Sequence, residues 1–310
     1  MIPLIRLKKD VLFNQELTKV VDVLKGIAAA QFHILEKQLM IFERCFTIAA
    51  EFAGLIDTDR IDHPFVRAQI PRTAAILVTS DAGFLGGLNT QVVTAGLREA
   101  KADGLLTVIG ERGAGYLRDL RREATTFPGI EDTTRSALAL EVTNHVVRQV
   151  LDGACGRLLI AYPHSISFTS QKITVETLLP CSEWLANAKM DGSVDGVMWE
   201  SRVDEVLEYI VIQWLTARLS QIFGLSRLAE LGARAVHLEG SHQELTRQGK
   251  QLKHQYFRAR HEVIDRSMRE IFASQLLSKH LAERTSRLKT LALATRKATV
   301  SARQEQDRPR

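Results

Sequence analysis

Two interleaved rows of residues, each repeating every seven positions, run through residues 203–263 and constrain this chain more than any other feature. One row is Val203, Ile210, Ala217, Gly224, Leu231, Leu238, Leu245, Leu252 and Ala259. The other is Leu207, Trp214, Gln221, Leu228, Ala235, His242, Gly249, Tyr256 and Val263. The first row has no polar member, and the second has two, Gln221 and His242. Alternating spacings of four and three put both rows on one side of an α-helix, the seam of a coiled coil. No proline occurs between Cys181 and Arg308. Such a helix, on the order of 100 Å long at 1.5 Å per residue, exceeds the diameter of a small domain, so something must accompany or enclose it. A competing reading exists. Gly240-Ser241-His242-Gln243-Glu244 has the form of a helix stop followed by a capping box, and Gly224 could end a helix too. A turn would slip the register, however, and the row passes from Leu238 to Leu245 unshifted. Glycines 224, 232, 240 and 249 each cost ~1 kcal/mol relative to alanine, so tertiary packing has to hold this helix. Small residues on the seam let a partner backbone come close.

Residues 10–56 predict a second long helix. Val21, Ala28, Leu35, Phe42, Ala49 and Ile56 recur at seven, and Leu17, Leu24, Leu39, Phe46 and Ala53 fill the adjoining stripe, giving a broad apolar face. Residues 57–64, rich in Asp and closed by His63-Pro64, end it. If the two long helices pair, the segment between them is an insertion at one end of an antiparallel coiled coil. That insertion changes period. Residues 74–79 form a continuous apolar run ending in Thr79, the mark of a strand buried on both faces. A glycine loop follows, then helix 88–103, strand 105–109, a short helix at 114–122 and a third strand at 124–127. Helix 135–151 leads to strand 157–162, and the alternating residues 173–178 read as an edge strand. This order predicts an α/β domain with an open, mostly parallel sheet. Residues 181–197 read as a polar linker into the long helix.

Charge is unevenly placed. Residues 275–310 hold nine Lys and Arg against three acids, so a net +6 sits in the tail and the other 274 residues carry −1. The body therefore lacks the basic excess expected of a nucleic-acid binder. No window offers ~18 uncharged apolar residues, and the first ten residues lack a signal-peptide pattern. Cys45, Cys155 and Cys181 are odd in number and far apart, which suits a reducing compartment and argues against a disulfide framework or a zinc site.

Motifs for chemistry are weak. Asp81-Ala82-Gly83-Phe84-Leu85-Gly86-Gly87-Leu88-Asn89 follows the first strand, and Gly110-Glu111-Arg112-Gly113-Ala114-Gly115 follows the second. Neither carries the GK[ST] that grips phosphate and magnesium. There is no GxSxG elbow, His237 and His242 are five apart, and His254 and His261 are two turns apart, too far for one ion. No metal, cofactor or catalytic residue is expected. The tail, with Leu276, Leu277, Leu281, Leu288, Leu291 and Leu293 among basic residues, reads as a solvated helix end or as a segment lying on an acidic surface.

The order of long helix, small α/β domain and long helix resembles the gamma subunit of F-type ATP synthases. The residues that carry the resemblance are Ser80-Asp81 and Gly86-Gly87-Leu88-Asn89 in the loop after the first strand. Ile27-Ala28-Ala29-Ala30 is similar to that family's N-terminal helix motif. Tyr256, Ala259, Arg260 and Ile264 match its C-terminal helix signature. The likeness spans about residues 11–274. Phe257, His261 and Asp265 depart from the usual Asn, Gln and Thr, Ser201 replaces a usual proline, and the tail continues past the usual end. These departures suggest a divergent bacterial branch, with the coupling ion, proton or sodium, left open.

The resemblance implies an antiparallel coiled coil of N- and C-terminal helices with an inserted Rossmann-like domain. Its implied parts are an N-terminal shaft helix (1–60), a foot (72–180), a C-terminal shaft helix (198–274) and a basic tail (275–310). It implies a non-catalytic rotor that couples ion flow through a membrane ring to ATP synthesis or hydrolysis. Implied partners are the alpha and beta subunits, the epsilon subunit and the c-subunit ring, with no nucleic acid. Ile27, Ala28, Arg260, His261 and Ile264 would meet the alpha/beta hexamer, and Trp199, Glu200 and Ser201 the ring. The complex would lie on the cytoplasmic side of a bacterial plasma membrane, with this chain peripheral. The alternatives are a nucleotide-binding α/β enzyme, which predicts saturable binding by the isolated chain, and a coiled-coil scaffold with a basic tail, whose affinity for nucleic acid would fall steeply with salt.

Overall fold

A computed structural model describes residues 4–38, 43–56, 61–188 and 200–306. The chain divides into two compact units: Thr18–Glu244, and Met1–Leu17 together with Leu245–Arg310.

In the first unit the apolar run after Arg72 becomes β1 (Thr73–Val78), the middle of a five-stranded sheet. β1 pairs in parallel with β2 (Leu105–Ile109) on one side and with β4 (Arg157–Ser167) on the other. β3 (Thr125–Phe127) adds to β2 in parallel, and β5 (Ser170–Leu179) adds to β4 antiparallel, giving the order β3-β2-β1-β4-β5. Side chains alternate between two cores, as the period of a strand requires. Ala74, Ile76, Val78, Leu158 and Ile160 pack with α5 (Arg135–Leu151) and with the start of α7 (Val203–Gln306). Ala75, Leu77, Leu159 and Ala161 pack with α3 (Leu88–Ala100) and α4 (Glu111–Asp119). Both faces are covered, which is why β1 reads as an unbroken apolar run.

α7 is one helix of 104 residues, with no stop at Gly224 or Gly240. The expected pairing with an N-terminal helix is present and antiparallel. Within the first unit, Phe32 and Leu35 of α1 (Leu4–Gln38) pack with Leu228 and Leu231 of α7. Lys25 Nζ lies 2.9 Å from Asp22 and 3.0 Å from Glu239. Within the second unit, Gly249 faces Asn14: a Cβ there would come 2.5 Å from Asn14 Oδ1, so any side chain at 249 would require the Asn14 amide to move.

Four expectations change. The helix expected over 10–56 is described as α1, beginning earlier at Leu4, and α2 (Glu43–Gly54); residues 39–42 fall outside the described set. The broad apolar face is not buried either. Burial on α1 follows a narrow row of Leu7, Asn14, Val21, Ala28 and Leu35, because one neighbouring helix covers only a seam, and Leu17 and Leu24 stay 37% and 40% exposed. Residues 181–197, expected as linker, include α6 (Ser182–Ala188), whose Leu185 is buried and whose Trp184 stacks on Trp214 at 4.6 Å. Apolar residues at 184 and 185 held that helix among polar neighbours. Finally, the early part of α7 buries far more than two rows. Val211, Leu215, Leu219, Ile222 and Phe223 are all fully enclosed, since the sheet unit packs on them as well.

Candidate functional site

The glycine loop after β1 is a docking joint built from its own polar groups. Ser80 N–H donates to Asn89 Oδ1 at 3.3 Å, and Asn89 Nδ2 donates back to Ser80 Oγ at 3.0 Å, closing the loop across nine residues. Asp81 Oδ1 accepts from the Glu111 N–H at 2.7 Å, and Oδ2 accepts from the Gly129 N–H at 3.1 Å. The first of these sits at the N-terminus of α4, where backbone N–H groups and the helix dipole would otherwise attract an anion. The carboxylate of Asp81 occupies that position. Gly86 takes φ +61°, which a side chain would strain. Leu85 and Leu88 then bury against Ala233 of α7, and Arg234 Nε reaches the Gly83 carbonyl at 3.5 Å while its guanidinium pairs with Glu230. Ser80 and Asn89 thus close the loop, Asp81 ties it to α4 and to Gly129, and Leu88 sets it against the long helix.

A second joint lies at the sheet edge. Arg218 of α7 meets Glu176 of β5 with Nε–Oε1 3.0 Å, Nη2–Oε1 2.8 Å and Nη2–Oε2 2.7 Å. The Tyr162 hydroxyl also donates to Glu176, at 3.3 Å. Burial, and next the Glu176 charge, push the Tyr162 phenol up to about 12. At the hairpin between β4 and β5, Phe168 sets its ring edge-on to Phe32 of α1 at 5.0 Å and stacks on His33 at 5.9 Å.

On the seam, the Asp22 hydrogen bond raises the Lys25 pKa, helped by the one to Glu239. The same Lys25 bond lowers Asp22, while Glu239 is lowered first by Gln243 and then by Lys25. His242 Nε2 sits 4.0 Å from Asp22, a partly exposed flank of this cluster.

Of the residues expected to meet partners, Ile27 is 49% exposed, whereas Ala28 is 2% exposed and packs in the helical seam. Arg260, His261 and Ile264 are all exposed on α7, in the other unit. Glu262 lies 3.7 Å from Arg258, one turn before it on the helix. Glu200 and Ser201 are exposed just before α7; Trp199 lies outside the described residues. What the periodicity concealed is an uncovered apolar face on α1: Ile5, Leu12 and Phe13 in one unit, and Val20, Val23 and Ile34 in the other, are 50–73% exposed. The signal was available, since α1 holds more apolar residues than one seam can bury. Among the described residues, no helix is long and apolar enough to cross a membrane, and no group of His, Cys, Asp or Glu could hold a metal ion.

A family model described as ATP synthase matches residues 7–276. The chain belongs to this family. It is similar to the ATP synthase gamma chain of Paracidovorax citrulli, at 26% identity over 219 residues, covering 68% of this chain and 76% of the relative. It is likewise similar to the ATP synthase gamma chain of Clostridium pasteurianum, at 26% over 200 residues, covering 63% and 69%. Among solved structures, the rotor of the Euglena gracilis mitochondrial ATP synthase superposes with a TM-score of 0.61 at 17% identity, over 84% of this chain and 98% of that one. The Tetrahymena thermophila mitochondrial central stalk gives 0.52 at 16%, over 72% and 99%. At these identities the structures establish the fold: long terminal helices around a mostly parallel five-stranded sheet.

Proposed function

We propose that this chain is the central rotor stalk, the gamma subunit, of an F-type ATP synthase. The observation that carries the reading is the single family match over residues 7–276, which takes in both long helices and the inserted sheet. The uncovered apolar face of α1 supports it, because large exposed apolar patches mark protein contact surfaces and a shaft enclosed by other subunits needs one. The Asp81 carboxylate seated at the N-terminus of α4 supports a structural role for the glycine loop over a nucleotide site.

On this reading the chain is non-catalytic, and ATP chemistry belongs to the beta subunits. Residues 1–60 and 198–274 form the shaft inside an alpha/beta hexamer, 72–180 the foot, and 275–310 a tail beyond the shared architecture. Ile27, Arg260, His261 and Ile264 meet the hexamer, while Ala28 packs inside the shaft. Trp199, Glu200 and Ser201 meet the c-subunit ring, and the epsilon subunit is a further partner. The complex is membrane-associated, with this chain peripheral on the cytoplasmic side of a bacterial plasma membrane.

Coexpression with the alpha and beta subunits of the same source tests the reading. The expected result is one complex that hydrolyses ATP, together with an isolated chain that gives no calorimetric signal with ATP. Failure to assemble, or one ATP site on the isolated chain at micromolar Kd, about −8 kcal/mol, would overturn it.

A further inference from the structure

Where the loop after β1 meets α7, a small cavity remains, with room of about 10 Å³ for the centre of a water molecule. Leu85, Ile130 and Pro163 give it apolar walls, and Asn89, Ser226 and Glu230 also line it. Each of these three polar side chains has bonding capacity that the described protein contacts do not use. Ser226 is 3% exposed, and its hydroxyl, shut off from bulk solvent, has no hydrogen-bond partner among the described residues. A helical hydroxyl can turn back onto the carbonyl four residues earlier, as Thr216 does onto Ile212 at 2.8 Å in the same helix. Ser226 makes no such bond to Ile222. Glu230, one turn further along the same face, meets Arg227 and Arg234 through Oε1 in both cases, which leaves Oε2. Asn89 Nδ2 uses one N–H on Ser80 Oγ at 3.0 Å and keeps a second. The other hydroxyls on the wall are engaged: Thr79 donates to the Ile109 carbonyl and Ser80 to that of Ala82.

We propose that this cavity is the binding site of one ordered water, which ties Ser226 and Glu230 of α7 to Asn89 of the loop. The size fits, since a single buried water needs roughly 10–15 Å³ and two to four polar partners. The chemistry fits as well. One water can accept from the Asn89 N–H and the Ser226 hydroxyl while donating to Glu230 Oε2. A dry cavity would leave an amide N–H, a hydroxyl and a carboxylate oxygen unpaired away from solvent, which folded proteins avoid. An anion is disfavoured by the Glu230 carboxylate. A cation is disfavoured because two guanidinium groups already balance that carboxylate and because Asn89 presents a donor. The packing of Leu85 and Leu88 on Ala233 is the apolar half of this joint, and the water supplies a polar half.

The test is a high-resolution crystal structure of the full chain, with oxygen-17 relaxation dispersion to count long-lived waters in solution. One water peak is expected within roughly 2.7–3.2 Å of Ser226 Oγ, Asn89 Nδ2 and Glu230 Oε2. Ser226→Val removes one partner and fills the space with a methyl group. The peak should vanish from its structure, and the count in solution should fall by one. An empty cavity in the parent chain, with the Ser226 hydroxyl turned onto the Ile222 carbonyl, would overturn the proposal. A peak with several oxygen neighbours at roughly 2.3–2.6 Å would be a bound cation and would overturn it too. So would a water retained in Ser226→Val, because Ser226 would then not build the site. Should that variant fold poorly, the parent structure decides by itself.

Discussion

Arg218 offers the sharpest handle on how the sheet unit is fastened to the long helix. Its guanidinium makes three contacts of 2.7–3.0 Å with one carboxylate, Glu176, on the antiparallel edge strand. Two groups share those contacts, so they act as one bidentate pair rather than as three independent bonds. The side chains are 25% and 28% exposed, enough burial to escape most solvent screening but not all. A hydrogen bond to a charged group contributes roughly 1.5–3 kcal/mol, and leaving Glu176 with the Tyr162 hydroxyl as its remaining bond places Arg218→Met toward the upper end. We expect a loss of about 2–3 kcal/mol in urea unfolding of the isolated chain. At roughly 2–4 °C per kcal/mol, that corresponds to a fall of about 5–10 °C in Tm. Trp214 lies one turn before Arg218 and stacks on Trp184, so tryptophan fluorescence reports this region directly. A double-mutant cycle with Glu176→Gln should give a coupling of about 1.5 kcal/mol or more. Coupling below about 0.5 kcal/mol, the level of an ordinary surface pair, would refute the idea that this contact fastens the unit.

Three other outcomes are expected. Burial, with a smaller contribution from Arg148, holds the His145 pKa below 6.5. The unfolded chain therefore takes up that proton first, and stability should fall as pH drops below about 6.5; His145→Gln should flatten the stability–pH curve there. Arg260→Ala should leave assembly intact, since the apolar rows are untouched, but change ATP turnover of the assembled complex by roughly ten- to a hundredfold if a charged hydrogen bond of ~1.5–3 kcal/mol forms in one rotary position. A chain ending at Ser274 should co-purify with alpha and beta subunits and support hydrolysis, because the removed residues lie almost wholly beyond the family match.

Much of the architecture was legible because period and burial are linked. The row from Leu238 to Leu245 excluded a turn at Gly240, and the apolar residues 74–78 required a doubly covered strand. Other features depended on contacts that spacing does not encode. Leu17 and Leu24 look like core by periodicity, but whether they are buried depends on how many neighbours surround α1. α6 was missed because Ser182, Glu183 and Asn187 make its composition that of a loop, while the stacking of Trp184 on Trp214 comes from 30 residues away. The signature loop was recognisable from Ser80-Asp81 and Gly86–Asn89. Its role was not, since the partners of Asp81 are the backbone N–H groups of Glu111 and Gly129, contacts that side-chain spacing does not encode.

On the proposed function this chain turns inside its partners. The most direct measurement fixes the alpha/beta hexamer to a surface and attaches an optical probe to a cysteine introduced at Ser201, an exposed position just before α7. The account predicts sustained rotation of the probe in one direction when ATP is added, stopping when ATP is withdrawn. ATP hydrolysis by the assembled complex with the probe stationary would contradict it.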